Sequence, residues 1–275
     1  MNYRHGFHAG NFADVVKHTV LLQLLDYLQQ KASPYCFIDT HAGDGCYDLT
    51  ALPTQKTLEA EQGIYRLLMM KPHPEMLEQY LAIACKEQNY LGSPLLAAQC
   101  SRPIDRIILN EKHPESYLAL KKNVQGYTNV AVHERDAYEF LPALLPPKEK
   151  RGLVLIDPAF EDKQEMQHLI ACLTQCMRRW PQGLYLIWLP IVGRNDYKVR
   201  DLTHIGFEKY LTIEFYIKTP SIDAPGLIGC SLLLINPPWQ IETQLHPLLD
   251  YLWQVLHKDQ ASTWSIKVHT DSKIK

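Results

Sequence analysis

Residues 35–45 read Tyr35-Cys36-Phe37-Ile38-Asp39-Thr40-His41-Ala42-Gly43-Asp44-Gly45, and their reading decides how the other residues of this 275-residue chain fall into place. Four apolar or aromatic residues in succession give way to an acid and then to a loop with two glycines. A run that is apolar at every position, rather than at alternate ones, marks a strand buried on both faces, as in a parallel sheet. Upstream, Val15, Val16, Val20, Leu24 and Leu28 form the apolar stripe of a helix expected from Asp14 to Lys31, which Ser33-Pro34 stops.

Downstream the same grammar repeats. Ile107-Ile108-Leu109, Val130-Ala131-Val132, Leu153-Val154-Leu155-Ile156 and Leu184 to Leu189 are short apolar runs. Helical patterns at Pro114–Val124, Ala137–Leu145 and Asp162–Trp180 separate them. Strands alternating with helices predict an α/β, doubly wound sheet covered on both faces. Near the end the grammar changes. Lys209–Lys218 and Leu227–Ile235 are separated by a loop too short for a crossover helix, so they are expected as an antiparallel hairpin. A last helix, Ile241 to His257, precedes a polar tail. The expectation is one domain, residues 1–275, with a seven-stranded, mostly parallel sheet and a terminal antiparallel hairpin. The interval from Asp39 to Glu111 is far longer than the ~30 residues of a βαβ step. Its excess, residues 49–90, carries two helical patterns, Lys56–Met70 and Pro74–Asn89, and is read as a small helical insertion.

Composition excludes several classes. Apolar residues are 46% and charged residues 21%, which rules out disorder and low-complexity scaffolds. The longest uncharged run near the middle, Leu184–Val192, is far short of the ~20 residues a spanning helix needs. The start lacks the apolar run of a secretory signal, and seven cysteines without a C-x-x-C pair suit free thiols in a reducing cytoplasm. A net charge of −2 does not announce a nucleic-acid partner, yet Arg4, His5, His8, Lys17 and His18 crowd the first eighteen residues against one acid, Asp14. The runs Lys148–Arg151, Arg178-Arg179 and Arg194–Arg200 read as solvated faces.

Ligands of open parallel sheets bind at the carboxyl ends of the strands. There the chain offers Asp39-x-x-x-Gly43-x-Gly45, then Glu111, then Asp136-Ala137, then Asp157-Pro158-Ala159-Phe160. Each has a plain structural reading: a tight turn, a surface acid at a helix start, a helix cap, a strand-ending turn. Their order suits S-adenosylmethionine (AdoMet). The glycine loop admits the methionine part, Glu111 accepts from the ribose hydroxyls, Asp136 accepts from the adenine amine, and Ala137 offers its N–H. The fourth strand end suits methylation of an exocyclic base amine. Asp157 and the Pro158 carbonyl accept its N–H bonds, and Phe160 stacks on a base that has left its helix. A dehydrogenase is disfavoured by the missing third glycine position.

The chain closely resembles the 23S ribosomal RNA adenine-N6 methyltransferases of the RlmJ family over nearly its whole length. The resemblance rests on Tyr3-Arg4-His5, Phe7-His8-Ala9-Gly10-Asn11, Ala13-Asp14-Val15, Lys17-His18-Thr19 and Asp39-Thr40-His41-Ala42-Gly43. Gly92-Ser93-Pro94-Leu95, Glu111-x-His113-Pro114 and Ile235-Asn236-Pro237-Pro238-Trp239 add to it. It implies a class I (Rossmann-like) AdoMet methyltransferase fold with a helical insertion. It also implies cofactor contacts by Lys17, His18, His41, Ser93, Glu111, Asp136, Ala137 and Asp157. Tyr3 would meet the RNA, with Arg4 beside it supplying charge, and Asp157 would be the catalytic acceptor. Two positions depart from the family pattern. Asp157-Pro158-Ala159-Phe160 stands where Asp-Pro-Pro-Tyr is usual, and Ala137 replaces a glycine.

Asn236-Pro237-Pro238-Trp239 spells an amino-methyltransferase motif better than the Asp157 stretch does. It follows the last strand of the hairpin, so it is read as structural. Among twelve histidines only His5, His8, His18 and His41 could cluster, without the cysteine or carboxylate spacing of zinc ligands, so no metal is expected. The resulting expectation is a monomeric, cytoplasmic enzyme that methylates 23S rRNA with AdoMet and binds no membrane. The competing reading is a non-enzymatic nucleic-acid-binding protein with a role in the use of external DNA.

Overall fold

The strand that opens the 35–45 stretch lies in the middle of a large sheet. A computed structural model describes residues 5–51, 58–193, 199–220 and 226–270. After a 3-10 turn at His5–Phe7 come α1 (Phe12–Gln29), β1 (Cys36–Asp39), β2 (Cys46–Asp48), α2 (Ile64–Met69), α3 (Glu75–Ala84), β3 (Cys85–Lys86) and β4 (Asn89–Leu91). Then follow α4 (Ser93–Cys100), β5 (Arg106–Asn110), α5 (Pro114–Asn123), β6 (Val130–His133), α6 (Ala137–Leu144), β7 (Gly152–Ile156), α7 (Glu165–Arg179) and β8 (Leu184–Val192). The chain continues through α8 (Val199–Thr203), β9 (Lys209–Tyr216), β10 (Leu227–Ile235), α9 (Ile241–Leu256) and β11 (Trp264–Thr270).

Eight of these strands pair in the order β11-β9-β10-β8-β7-β1-β5-β6. The pairs β6/β5, β5/β1, β1/β7 and β7/β8 are parallel. β10 is antiparallel to both β8 and β9, so β9 runs the same way as the central five. The hairpin expected from the sequence is present, with β10 inserted between its partner and β8. The apolar runs are continuous because each face is covered. Phe37, Ile107, Leu109, Leu153 and Leu155 pack with Val15, Leu21 and Leu24 of α1 and with Leu96 and Leu249. Ile38, Ile108, Val154 and Ile156 pack with Phe140, Leu169 and Leu173 of α6 and α7.

Two readings need correction. The sheet has eight strands, not seven, because the supposed polar tail supplies β11, antiparallel to β9 along the sheet edge. Its polar appearance has a physical cause: Ser265, Lys267 and His269 alternate with Ile266 and Val268 in a strand at the sheet edge where no residue is fully buried. The insertion is not purely helical either. The pattern Pro74–Asn89 ends in a turn at Glu87 (φ +55°), and β2, β4 and β3 form a small antiparallel sheet. The beginning of the helix expected at Lys56 lies outside the described residues.

α1 places the first site residues. Fifteen of its eighteen residues are buried, and Asp14, Lys17, His18 and Thr19 are among them. A helix enclosed on nearly all sides is ordinarily apolar throughout. Its buried charges therefore need partners, and those partners lie at the carboxyl ends of the strands.

Candidate active site at the carboxyl ends of the sheet

From β1 the chain moves outward through β5 to β6, then returns to place β7 on the other side of β1. The β1/β7 boundary is the topological switch point, where loops diverge and a crevice opens. A cavity of about 690 Å³ lies there, within the ~300–1,000 Å³ range of small-molecule sites. Lys17, His18, His41, Ser93, Glu111, Asp136, Ala137, Asp157 and Pro158 all line it.

The loops after β1, β5 and β6 are tied together by one buried side chain. Asn110 donates through Nδ2 to the carbonyls of Thr40 (3.1 Å) and Arg135 (3.0 Å), and its Oδ1 accepts from Arg135 N–H at 3.2 Å. The next residue, Glu111, is held from both sides. Gly43 N–H donates to its Oε2 at 2.8 Å and His113 N–H to its Oε1 at 2.7 Å. Each oxygen keeps a further acceptor site. Gly43 has to be glycine: its φ is +61°, and a Cβ would stand 2.3 Å from the Tyr47 hydroxyl.

Buried charge is concentrated around Lys17. Its ammonium binds Asp14 Oδ1 at 2.9 Å and makes an ion pair with Asp157 Oδ2. Asp14 Oδ2 accepts from Gly10 N–H and pairs with His5 Nε2, each at 3.0 Å. Burial opposes both charges, but the mutual attraction wins. Asp14 is held well below the usual carboxylate range by His5 and Lys17, and Lys17 is held well above the usual amine range by Asp14 and Asp157. Asp39, fully buried beside them, goes the other way: burial, reinforced by the charge of Asp157, pushes it up to about 7. Ser93 Oγ donates to Asp39 Oδ2 at 2.7 Å, which joins the start of α4 to the end of β1.

The histidines are polar fixtures. Burial lowers His41 to about 4 and His18 to about 3, so both are neutral near pH 7. His41 Nδ1 sits 2.8 Å from Thr40 Oγ1. His18 Nδ1 sits 2.7 Å from the Tyr90 hydroxyl, which lies 2.9 Å from that of Tyr80. His8 pairs with Glu59 of the insertion at 3.0 Å and is raised by it, while Asn11 Nδ2 donates to the same carboxylate. Among the described residues no group of three or more histidine, cysteine or acidic side chains could hold a metal ion, and no helix is long and apolar enough to cross a membrane.

A family model described as "Ribosomal RNA large subunit methyltransferase D, RlmJ" matches residues 32–269. The chain belongs to the RlmJ family. Ribosomal RNA large subunit methyltransferase J of Haemophilus influenzae is 37% identical over 276 residues, covering 97% of this chain and 98% of that protein. The protein of the same name from Escherichia coli K12 is 37% identical over 261 residues and covers 92% of each chain. The crystal structure of a Legionella pneumophila protein superposes with a TM-score of 0.85 at 32% identity, over 97% of this chain and 99% of that one. Membership of the RlmJ family makes this chain a methyltransferase, which needs a methyl donor as well as an acceptor.

Not every expected residue of this RlmJ-family chain joins the cavity. Phe160 does not line it. The ring lies 6.5 Å from that of Trp188, which does, and the Phe160 backbone is left-handed (φ +52°), an unusual state for an aromatic residue. Tyr3 and Arg4 lie outside the described residues. Asp136 performs the cap considered from sequence. Its Oδ1 accepts from Tyr138 and Glu139 N–H at the start of α6, and its Oδ2 accepts from Lys112 at 2.8 Å. Asn236 stands at the opposite edge of the sheet. β10 ends with Ile235 beside Tyr185, near the start of β8, and Asn236 Nδ2 donates to the carbonyls of Pro181 and Gly183, both at 2.7 Å.

The structure also adds roles that the sequence reading did not assign: Asp14 and Asp39 as charge partners, and Trp188 and Pro190 of β8 as cavity wall. Asp14 carried a signal, an acid three residues before a lysine on an otherwise apolar helix. Pro190 carried another, because proline inside a paired strand gives up a ladder donor and needs a reason.

Proposed function

We propose that this chain transfers a methyl group from AdoMet to the exocyclic N6 of an adenine in 23S ribosomal RNA, acting as a monomer. The observation that carries the reading is the convergence of Glu111 and Asp157-Pro158 on one cavity at the β1/β7 switch point. The names of the relatives, both large-subunit rRNA methyltransferases, support the RNA class. The step from rRNA to adenine N6 rests on the Asp157-Pro158-Ala159-Phe160 stretch.

The residues present fit the donor. Glu111 is fixed by two backbone N–H groups with acceptor sites to spare, which suits two vicinal ribose hydroxyls. Ala137, at the first position of α6, offers its N–H at a helix start, and Asp136 supplies an acceptor beside it. His18, His41, Ser93 and Lys17 line the same cavity and are the polar groups left to meet the methionine moiety with its carboxylate. When bound, AdoMet would supply an electrophilic methyl group on a sulfonium sulfur, whose bond to that methyl breaks in the transfer to leave the neutral thioether S-adenosylhomocysteine.

The chain's own groups do the rest. An adenine amine is a poor nucleophile because its lone pair is spread into the ring. Asp157 accepts one N–H bond and the Pro158 carbonyl the other, returning electron density to nitrogen. Lys17 anchors Asp157 through Oδ2, which leaves Oδ1 to meet the amine. As the N–C bond forms, the amine proton passes to Asp157. Phe160, which stands outside the cavity lining, is assigned to stack on the base, and Tyr3 and Arg4 to engage the flanking RNA. Orientation supplies much of the rate.

The test incubates the purified chain with AdoMet labelled in its methyl group and with deproteinised 23S rRNA, then identifies the labelled nucleoside by mass spectrometry. N6-methyladenosine supports the reading. Label in another nucleoside would retain the rRNA methyltransferase and reject adenine N6.

A further inference from the structure

Three fully buried side chains form a line that begins in the insertion and ends at the cavity. Tyr80 of α3 and Tyr90 of β4 are 0% exposed, and their hydroxyl oxygens lie 2.9 Å apart. The Tyr90 hydroxyl lies 2.7 Å from His18 Nδ1, and His18 lines the cavity. Each hydroxyl carries one hydrogen, and a neutral imidazole carries one hydrogen on one of its two nitrogens. Burial keeps His18 neutral by lowering it to about 3.

Only one arrangement of these hydrogens leaves no buried hydroxyl hydrogen without an acceptor. If His18 Nδ1–H donated to Tyr90, then Tyr90 would donate to Tyr80, and the Tyr80 hydrogen would have no acceptor among the described residues. A buried hydroxyl hydrogen without a partner is costly. In the reverse order Tyr80 donates to Tyr90, Tyr90 donates to His18 Nδ1, and the imidazole hydrogen sits on Nε2. With Nδ1 engaged, Nε2 is the one polar atom His18 can offer to the cavity.

We propose that Tyr90, backed by Tyr80, is a positioning residue that fixes His18 in the Nε2–H tautomer, so that it donates a hydrogen bond to a carboxylate bound in the cavity. The inference deepens the methyl-donor reading and rests on it for the identity of the carboxylate. It also ties the insertion to the site, because two of its tyrosines set the hydrogen-bonding sense of a residue on α1.

The protein is labelled with ¹⁵N-histidine and its long-range ¹H–¹⁵N correlations are recorded without ligand, with His18 identified by the signal missing from His18→Gln. His18 is expected to show a proton-free Nδ1 and a protonated Nε2. Tyr90→Phe should lose that preference and weaken S-adenosylhomocysteine binding roughly fivefold, with kcat at saturation little changed. Tyr80→Phe should keep the tautomer, because Tyr90 can still donate to Nδ1. A wild-type His18 protonated at Nδ1 would overturn the proposal without any variant. So would a folded Tyr90→Phe with the nitrogen pattern of the wild type. Failure of the wild-type protein to bind S-adenosylhomocysteine would instead reject the methyl-donor reading, while the nitrogen pattern still decides the tautomer.

Discussion

Lys17, in the first helix, forms an ion pair with Asp157 at the end of β7, 140 residues further along the chain. The lysine side chain is 5% exposed and the aspartate 16%, so little solvent screens the contact. Asp14, 3% exposed, occupies the other side of the same ammonium. One cation thus joins the N-terminal helix to the strand end where the acceptor base is proposed to sit.

Removing that cation should be costly in stability as well as in activity. Lys17→Met leaves Asp14 and Asp157 without their common partner, and breaking a buried pair on one side costs about 3–5 kcal/mol. Adding Asp14→Asn to that variant should recover part of the loss, because an amide needs no counter-charge. Urea titrations of the wild type and both variants measure this. A single variant within about 1 kcal/mol of the wild type would mean that the pair contributes little.

Glu111 should be the grip on the methyl donor. Replacing it with alanine removes charge-assisted hydrogen bonds worth ~1.5–3 kcal/mol each and frees Gly43 N–H. Calorimetry with S-adenosylhomocysteine should show affinity reduced about tenfold or more. Equal affinity in a folded Glu111→Ala would take this residue out of the donor site.

Asp39 should leave a signature in the dependence of stability on pH. Its folded pKa is pushed up to about 7 from an ordinary 3.8, chiefly by burial. Between those values the folded chain keeps a proton that the unfolded chain has released. The folded state is therefore favoured at the acid end, and the advantage disappears as pH rises through 7. Asp39→Asn removes the effect, so it should gain on the wild type from pH 5 to pH 8, by as much as ~2.5 kcal/mol for the two pH units between 5 and a folded value near 7. Comparing the two proteins cancels the opposing contribution of His18 and His41, whose depressed values act as pH falls. Parallel melting curves across that range would contradict the assignment.

The central strands were legible because burial on both faces removes the ambiguity between a strand and a half-exposed helix. Phe37-Ile38 and Val154-Leu155 needed no tertiary information. β11 was hidden because Ser265, Lys267 and His269 between only two aliphatic residues, Ile266 and Val268, look like a polar tail until β9 lies beside them. The small sheet of the insertion was hidden because strands of two or three residues carry no period. Strand ends pointed to Glu111 and Asp157, since chain order alone assigns them to one edge of the sheet. Trp188 and Tyr90 were not legible, because their importance lies in which distant group each one touches.

The two proline-containing motifs should separate cleanly. Asp157→Asn keeps an oxygen acceptor and loses the proton acceptor, so single-turnover methylation should fall ~10²-fold or more with the fold retained. Asn236→Ala loses two hydrogen bonds to the turn before β8 and leaves a left-handed φ of +56° to alanine. It should lower stability by about 1–3 kcal/mol and spare turnover per folded molecule. Loss of activity in a stable Asn236→Ala, with full activity in Asp157→Asn, would reverse the assignment.

Adenine-N6 methylation of 23S rRNA through Asp157 is tested most directly in large-subunit rRNA from cells. Mass spectrometry would compare cells lacking the gene, cells with the gene restored, and cells carrying Asp157→Asn at equal protein level. One N6-methyladenosine should disappear with the gene, return with the wild-type chain, and stay absent or nearly so with the variant. Identical N6-methyladenosine content in all three would contradict it.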